Sequence, residues 1–520
     1  MAPASLPGLV QSWAVQDPQR EVLRDVGGRG LTNSDLAVAA ATWGALLNSV
    51  GVTRGAPVAS MLPNTSAGHI GWLGSAWIGA IEFPLNHEFP TSWIERLVVE
   101  SGARIAIVGK QFARKWRPLL TAGVLKSLVV VHDLEQVEIW SGDGRNEFRK
   151  LTPVDLAPVV ADRYDVSCVI LTSGTTGPSK GVVVPWGQWE TRCLSNAIPS
   201  RFRNRDEVFY NPLPVYHTAG RSYFYEAVYQ QSLMVSKGRF STTTWIDDIQ
   251  REECTGTILL GATASFIFNS PPKSFDRDTS LKFVVMAPVP AWVDQFKERF
   301  DIIAVTSYGA TEYGNAIVSG DHFEVTSTTA GSCGVADSNY EVRLVSDQGM
   351  EAGIDEPGEL HVRGAPWANN LGYWRRPEES ARAWEGGWFR TGDIFRRDSD
   401  GLFYFVDRAK DMVRRRGENI SSMEVEWSAM EHPEVSVAAA YGVRSEDGEE
   451  EVMLSVELAA GAVVSPDELH GFLEKRLPAY AVPQFIAIHA ELPRTSTQKI
   501  RKNELRDAGI TPSTWQSTQA

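Results

Sequence analysis

Thr172-Ser173-Gly174-Thr175-Thr176-Gly177-Pro178-Ser179-Lys180-Gly181 places five hydroxyls, three glycines and one lysine within ten positions. Glycine lets backbone N–H groups turn toward an anion, the hydroxyls add donors, and the lysine adds a point charge. The segment therefore reads as a polyphosphate cradle. A Walker-type loop ends Gly-Lys-Ser/Thr and runs into a helix whose N-terminus holds the phosphate. Here Lys180 and Gly181 lead instead into Val182, Val183, Val184 and Pro185, a β-branched run, and residues 168–171 before the loop are β-prone too. A strand–loop–strand cradle lacks a helix dipole. It must close over its ligand through side chains.

Four further segments carry chemistry-bearing residues. Tyr308-Gly309-Ala310-Thr311-Glu312 follows a strand predicted at 302–306, at the carboxyl end where open α/β sheets keep their ligands. Tyrosine can stack on adenine, threonine can donate to a phosphate, and glutamate can hold Mg²⁺. Trp388-Phe389-Arg390-Thr391-Gly392-Asp393 reads as a tight turn ending in a carboxylate suited to ribose hydroxyls, and Asp407-Arg408 offers a second such contact. Lys499 closes the polar stretch 493–499 near the C-terminus.

These residues need a frame. A chain of 520 residues is too long for one ordinary core, so two or more domains are expected. The net charge of -14 argues against nucleic acid or an anionic membrane as partner, so any anionic ligand must be met by local positive charge. Four scattered cysteines, Cys168, Cys193, Cys254 and Cys333, give no zinc or disulfide pattern and fit a reducing, cytoplasmic setting. The N-terminal stretch lacks the basic and apolar regions of a secretory signal, and the apolar stretch 71–85, interrupted by glycine and Glu82, reads as a buried helix and turn with no membrane span. Helical patterns such as 31–47 alternate with β-branched runs at 105–108, 128–131, 257–260 and 283–286. That alternation predicts an α/β fold: a large N-terminal domain of stacked, largely parallel sheets. Strands at 341–345, 359–362 and 402–406 add a small antiparallel β subdomain. The charged stretch 407–417 precedes a small, mobile α+β C-terminal domain. The boundary is placed at Lys410, giving 1–409 and 410–520.

Taken in order, the segments resemble the adenylate-forming superfamily of acyl-CoA synthetases, luciferases and peptide-synthetase adenylation domains, over essentially the whole chain. Met61-Leu62-Pro63-Asn64, Pro212-Leu213-Pro214-Val215-Tyr216-His217, Gly358-Glu359-Leu360-His361-Val362-Arg363-Gly364 and Gly372-Tyr373-Trp374 fall where that family has its motifs. Met286-Ala287-Pro288 and Arg416-Gly417-Glu418-Asn419-Ile420-Ser421 look most like the crotonobetaine/carnitine-CoA ligase branch. The resemblance implies an acid–thiol ligase that uses ATP, Mg²⁺ and coenzyme A. A small-molecule carboxylic acid becomes an acyl-adenylate, pyrophosphate leaves, and a thiol displaces AMP. It implies that Ser173 through Lys180 hold the β- and γ-phosphates, Glu312 the metal and Thr311 the α-phosphate. Tyr308, Gly309, Ala287 and Pro288 flank adenine, Asp393 and Arg408 hold the ribose, and Lys499 bridges the acid and the α-phosphate. His217 gates the acyl pocket. The small domain turns about Lys410 between half-reactions, bringing Arg415, Arg416 and Gly417 toward CoA. The expected protein is a monomer or homodimer.

Three positions depart from the family pattern. Trp186 stands where histidine is usual, Ala310 where a larger residue precedes Thr311, and Gln498 where glycine precedes the catalytic lysine. The last leaves open a ligase that works mainly in the thioesterification half on a supplied acyl-adenylate; an adenylation enzyme that loads a carrier protein also stays open, because a carrier brings the same pantetheine thiol as CoA.

Overall fold

A computed structural model describes residues 5–172, 180–409, 411–415, 418–444, 450–495 and 499–517. The expected cradle residues Ser173, Gly174, Thr175, Thr176 and Gly177 lie outside the described residues, as do Lys410, Arg416, Gly417 and Gln498. The chain packs as two compact units. One comprises Met1–Val342 with Val362–Phe389, the other Arg343–His361 with Arg390–Ala520.

The first unit is built on two sheets. One has seven strands in the order Ile303–Val305, Phe283–Ala287, Gly256–Leu260, Val208–Asn211, Leu233–Ser236, Glu21–Asp25, Gly30–Thr32; every pairing is parallel except the last, a hairpin. The other has eight, in the order Lys180–Pro185, Val166–Thr172, Ile81–Pro84, Pro57–Met61, Ile105–Gly109, Ser127–Val131, Gln136–Ser141, Asn146–Lys150. The four pairings from Val166–Thr172 across to Ser127–Val131 are parallel; the pairing at one edge and the last two at the other are antiparallel. Strands such as Ile105–Gly109 and Ser127–Val131 are buried along their whole length, as their unbroken apolar runs require in a parallel sheet covered on both faces. This is the predicted α/β architecture.

Local signals set the helices. Thr32 caps the helix Asn33–Ser49 through a capping box with Asp35, which is why Leu31 stays outside the helix that its spacing suggested. Leu36, Ala40, Trp43 and Leu47 then face a core shared with Trp72 and Trp77 of the helix Ser66–Trp77. The apolar stretch 71–85 is the end of that helix followed by the strand Ile81–Pro84, so Glu82 sits on a strand and not in a turn. Trp186 opens the helix Trp186–Leu194 and is buried against Trp72, with ring centroids 5.7 Å apart. A large apolar side chain occupies the place of the usual histidine because that place is core.

Two site segments differ from expectation. Residues 307–310 form a strand, Ser307–Ala310, paired antiparallel with Gly314–Val318, so Thr311 and Glu312 lie in a hairpin turn. Residues 388–393 begin a ten-residue strand, Trp388–Arg397, where a tight turn was expected; the bend is confined to Gly392, at φ +70°. In the second unit, that strand places Asp393 opposite Arg408 of Phe403–Arg408. The same unit holds a four-stranded sheet, Val435–Arg444, Glu450–Leu458, Phe485–His489 and Trp515–Gln516, with helices Ser422–Met430 and Pro466–Leu473 packed in its core. No helix among the described residues is long and apolar enough to cross a membrane.

Candidate active site

The cradle is framed by the hairpin of Val166–Thr172 with Lys180–Pro185, which sets Lys180 directly opposite Thr172. A second segment is laced onto the outer strand. Leu371 donates to Val183 O, Val183 to Gly372 O, and Trp374 to Gly181 O. Gly372 holds φ +98°, a conformation that lets the segment turn along the strand. The same segment reaches the hairpin turn. Asn370 donates twice to Glu312 O, from its backbone at 3.0 Å and its side chain at 2.8 Å, and Tyr373 Oη donates to Glu312 Oε1 at 3.3 Å. Residues 370–374 thus strut the cradle strand against the Thr311–Glu312 turn. Burial, then the charge of Glu312, raises the Tyr373 hydroxyl well above the usual tyrosine range, so it stays a donor to that carboxylate. Lys180 lies over the Tyr373 ring at 5.0 Å and forms a 2.8 Å ion pair with Glu379.

The turn is also held from behind by the helix Trp186–Leu194. Gln188 Nε2 donates to Thr311 O at 2.7 Å and, one helical turn on, Arg192 Nη2 donates to Ala310 O at 2.6 Å. Gly309 admits no side chain, since a Cβ there would come within 2.0 Å of Gly314 O. The Tyr308 hydroxyl accepts from Tyr313 Oη at 2.9 Å, and its strand packs beside Phe283–Ala287, which ends at the cis Ala287–Pro288 peptide. His217 is the N-cap residue of the helix Thr218–Gln230, and the hydroxyls of Thr218 and Thr311 lie 2.8 Å apart. One unit therefore gathers Lys180, Thr172, Glu312, Thr311, Tyr308 and, through Thr218, the histidine segment.

The second unit gathers another set. Arg408 Nε lies 3.5 Å from Asp393 Oδ1. Lys499 is held below the usual lysine range by desolvation and then by Arg408, with Asp393 pulling the other way. Three residues far apart in sequence form one charged group.

A family model described as AMP-binding enzyme matches residues 10–374, and the model of its C-terminal domain matches residues 424–499. The chain belongs to the AMP-binding enzyme family. Crotonobetaine/carnitine–CoA ligase of Escherichia fergusonii is 28% identical over 480 residues, covering 89% of this chain and 90% of that protein. The fold matches that of ATP-bound MatB from Rhodopseudomonas palustris with a TM-score of 0.84 at 21% identity, over 97% and 99% of the two chains. It also matches o-succinylbenzoate coenzyme A synthetase from Bacillus subtilis bound to AMP, with a TM-score of 0.81 at 22% identity over 97% and 99%.

Within this AMP-binding enzyme, the arginine expected to meet CoA is engaged elsewhere. Arg415 is 8% exposed; its Nε is 2.5 Å from Glu451 Oε2 and its Nη1 donates to the carbonyls of Tyr480 and Val482. Its charge is used inside the second unit, leaving Arg416, outside the described residues, as the remaining arginine of that expectation. Sequence reasoning did not find Gln188, Arg192, Thr218, Asn370 or Glu379. Each acts through a partner more than fifty residues away, and none has a type or spacing that marks it. Tyr373 alone had a signal, the Gly372-Tyr373-Trp374 motif.

Proposed function

We propose that this AMP-binding enzyme is an ATP-dependent acyl-CoA ligase. The observation that carries the reading is the 370–374 strut, which ties the strand of Lys180 and the turn of Glu312 into one frame, as a site for a metal-bound polyphosphate requires. In the first half-reaction a carboxylate oxygen of the acid attacks the α-phosphorus of ATP and pyrophosphate leaves. In the second, the sulfur of CoA attacks the acyl carbon and AMP leaves.

Lys180 exchanges Glu379 for the β- and γ-phosphates. Thr311 donates to the α-phosphate from a turn fixed on both sides. Glu312 fits Mg²⁺: a single hard carboxylate beside a phosphate site, oriented by Tyr373, suits an ion that keeps several waters and binds mainly through substrate phosphates. When bound, Mg²⁺ neutralises charge on the phosphate oxygens. Tyr308 and the Ala287–Pro288 bend flank the base, and Asp393 and Arg408 take the ribose. Lys499 bridges the acid and the α-phosphate, stabilising charge as it develops at phosphorus. His217 closes the acyl side. Alternation of the small domain between the two half-reactions is part of this reading.

The test is ATP–pyrophosphate exchange across a panel of carboxylic acids, quaternary-ammonium acids included on the strength of the carnitine ligases. It is paired with CoA thioester formation from synthetic adenylates. Exchange with at least one acid, lost in Lys499→Ala, is expected. Thioester formation without exchange would mean that only the second half-reaction operates. If neither activity occurs, the reading is wrong.

A further inference from the structure

We propose that Arg221 and Glu82, a buried ion pair outside every motif of the site, are positioning residues that hold the His217 segment in register with the cradle sheet. The proposal rests on the ligase reading for its consequence, but its structural core does not. Residues 212–217 contain two prolines and pass through the interior, where Val215 is 3% exposed. A buried carbonyl in such a segment needs a donor. Arg221 supplies it: Nε donates to Val215 O at 2.5 Å while Nη1 donates to Glu82 Oε2 at 2.8 Å. The second Glu82 oxygen accepts from Ser60 Oγ, and the guanidinium lies 4.9 Å from the Trp72 ring. Both charged side chains are 1% exposed.

The anchor point matters. Glu82 lies on Ile81–Pro84, paired with the strand Val166–Thr172 that enters the cradle, with Glu82 opposite Cys168. One side chain therefore joins the histidine segment, which follows the seven-stranded sheet, to the sheet that carries Lys180. A buried ion pair is often no more stabilising than an apolar pair of equal volume, so stability alone does not account for it. What the guanidinium adds is direction, because its fork presents separate donors to a carbonyl and a carboxylate at fixed angles, which an ammonium does not. The segment has no slack to absorb an error. A Cβ at Gly220 would lie 2.0 Å from Pro214 O, so the segment is pressed onto the first turn of the helix Thr218–Gln230. Any shift of Val215 passes to His217 and to Thr218, whose hydroxyl meets Thr311.

Two variants test this. Arg221→Lys keeps a cation for Glu82 and loses the Nε donor; the double variant E82L/R221M removes the pair in an apolar form that should fold even if the lysine variant does not. Hydrogen exchange of the peptide spanning 212–220 is the first readout. The amides of His217 and Gly220, bonded to Pro214 O and His217 O, are expected to exchange at least about tenfold faster in both variants, with the cradle strands unchanged. The second readout is turnover: kcat with the acid should fall about 10- to 100-fold while KM for ATP stays within about twofold. Wild-type exchange at 212–220 in a folded variant would overturn the proposal, as would unchanged kcat. If the wild-type protein activates no acid, the ligase reading fails instead, and the exchange data still decide whether the pair holds the segment.

Discussion

Replacing His69 with Leu should flatten the acid side of the stability profile by about 2 kcal/mol between about pH 7.5 and 5. His69 lies on the helix Ser66–Trp77, 1% exposed, with its ring 4.8 Å from Phe224. Burial, and then the charge of Arg221, push the imidazole down from 6.5 to about 3. The folded value lies below the unfolded one, so in that window the unfolded chain binds a proton that the folded protein refuses. The contribution is complete above the unfolded pKa and is lost as pH falls toward the folded one. The limiting slope is about 1.4 kcal/mol per pH unit. Integrating it for an unfolded pKa near 6.5 over that range gives about 2 kcal/mol. Other acid-labile groups are common to both proteins and cancel in the comparison. Leucine retains the apolar contact with Phe224 without the titratable ring. Urea unfolding at several pH values, read by tryptophan fluorescence, gives both profiles. Parallel profiles for wild type and His69→Leu would show that burial does not hold the imidazole neutral and would refute the reasoning.

Glu379→Gln should lower KM for ATP about two- to fivefold without changing kcat, because the half-exposed Lys180–Glu379 pair is worth at most about 1 kcal/mol that the polyphosphate must otherwise displace; a raised KM in pyrophosphate exchange would show that Glu379 assists ATP binding. Arg415→Ala should destabilise the protein by about 3–5 kcal/mol, because it leaves Glu451 buried without its cation, and should leave KM for CoA unchanged in the folded fraction. Near-wild-type unfolding with a raised KM for CoA would return Arg415 to the CoA site. Tyr373→Phe, which removes only the hydroxyl donated to Glu312, should raise the Mg²⁺ concentration for half-maximal activity several-fold with KM for the acid unchanged; an unchanged Mg²⁺ titration would separate the strut from the metal site.

The fold was largely legible because parallel strands buried on both faces leave unbroken apolar runs. Ser127–Val131 and Gly256–Leu260 fall within one residue of their expected bounds at each end. Residues 388–393 were misread as a turn because glycine at 392 marks a local bend, and a strand with one left-handed residue has the same local sequence signal as a turn. For residues 308–312 the strand pairing was not legible, although Thr311 and Glu312 do lie in a turn. The sequence places 308–312 after the strand at 302–306 and carries no signal that 307–310 pair with 314–318, where Gly309 allows close backbone approach across the hairpin.

Charged residues show in the sequence as types and not as partners. Lys180 meets Glu379, Arg415 meets Glu451, and Arg221 meets Glu82, at separations no local pattern encodes. The difference in environment decides what each pair does. The Lys180–Glu379 pair is exposed to about 30% on both sides, so water screens it and a triphosphate with several negative charges can displace the carboxylate. Arg415 and Arg221 are buried with carbonyls as well as carboxylates in their coordination, and removing either would strand a desolvated anion. An arginine run in an acidic chain therefore does not by itself mark an anion site. The cation free to serve a ligand is the one whose present partner is also in reach of water, and by that criterion Lys180 qualifies and Arg415 does not.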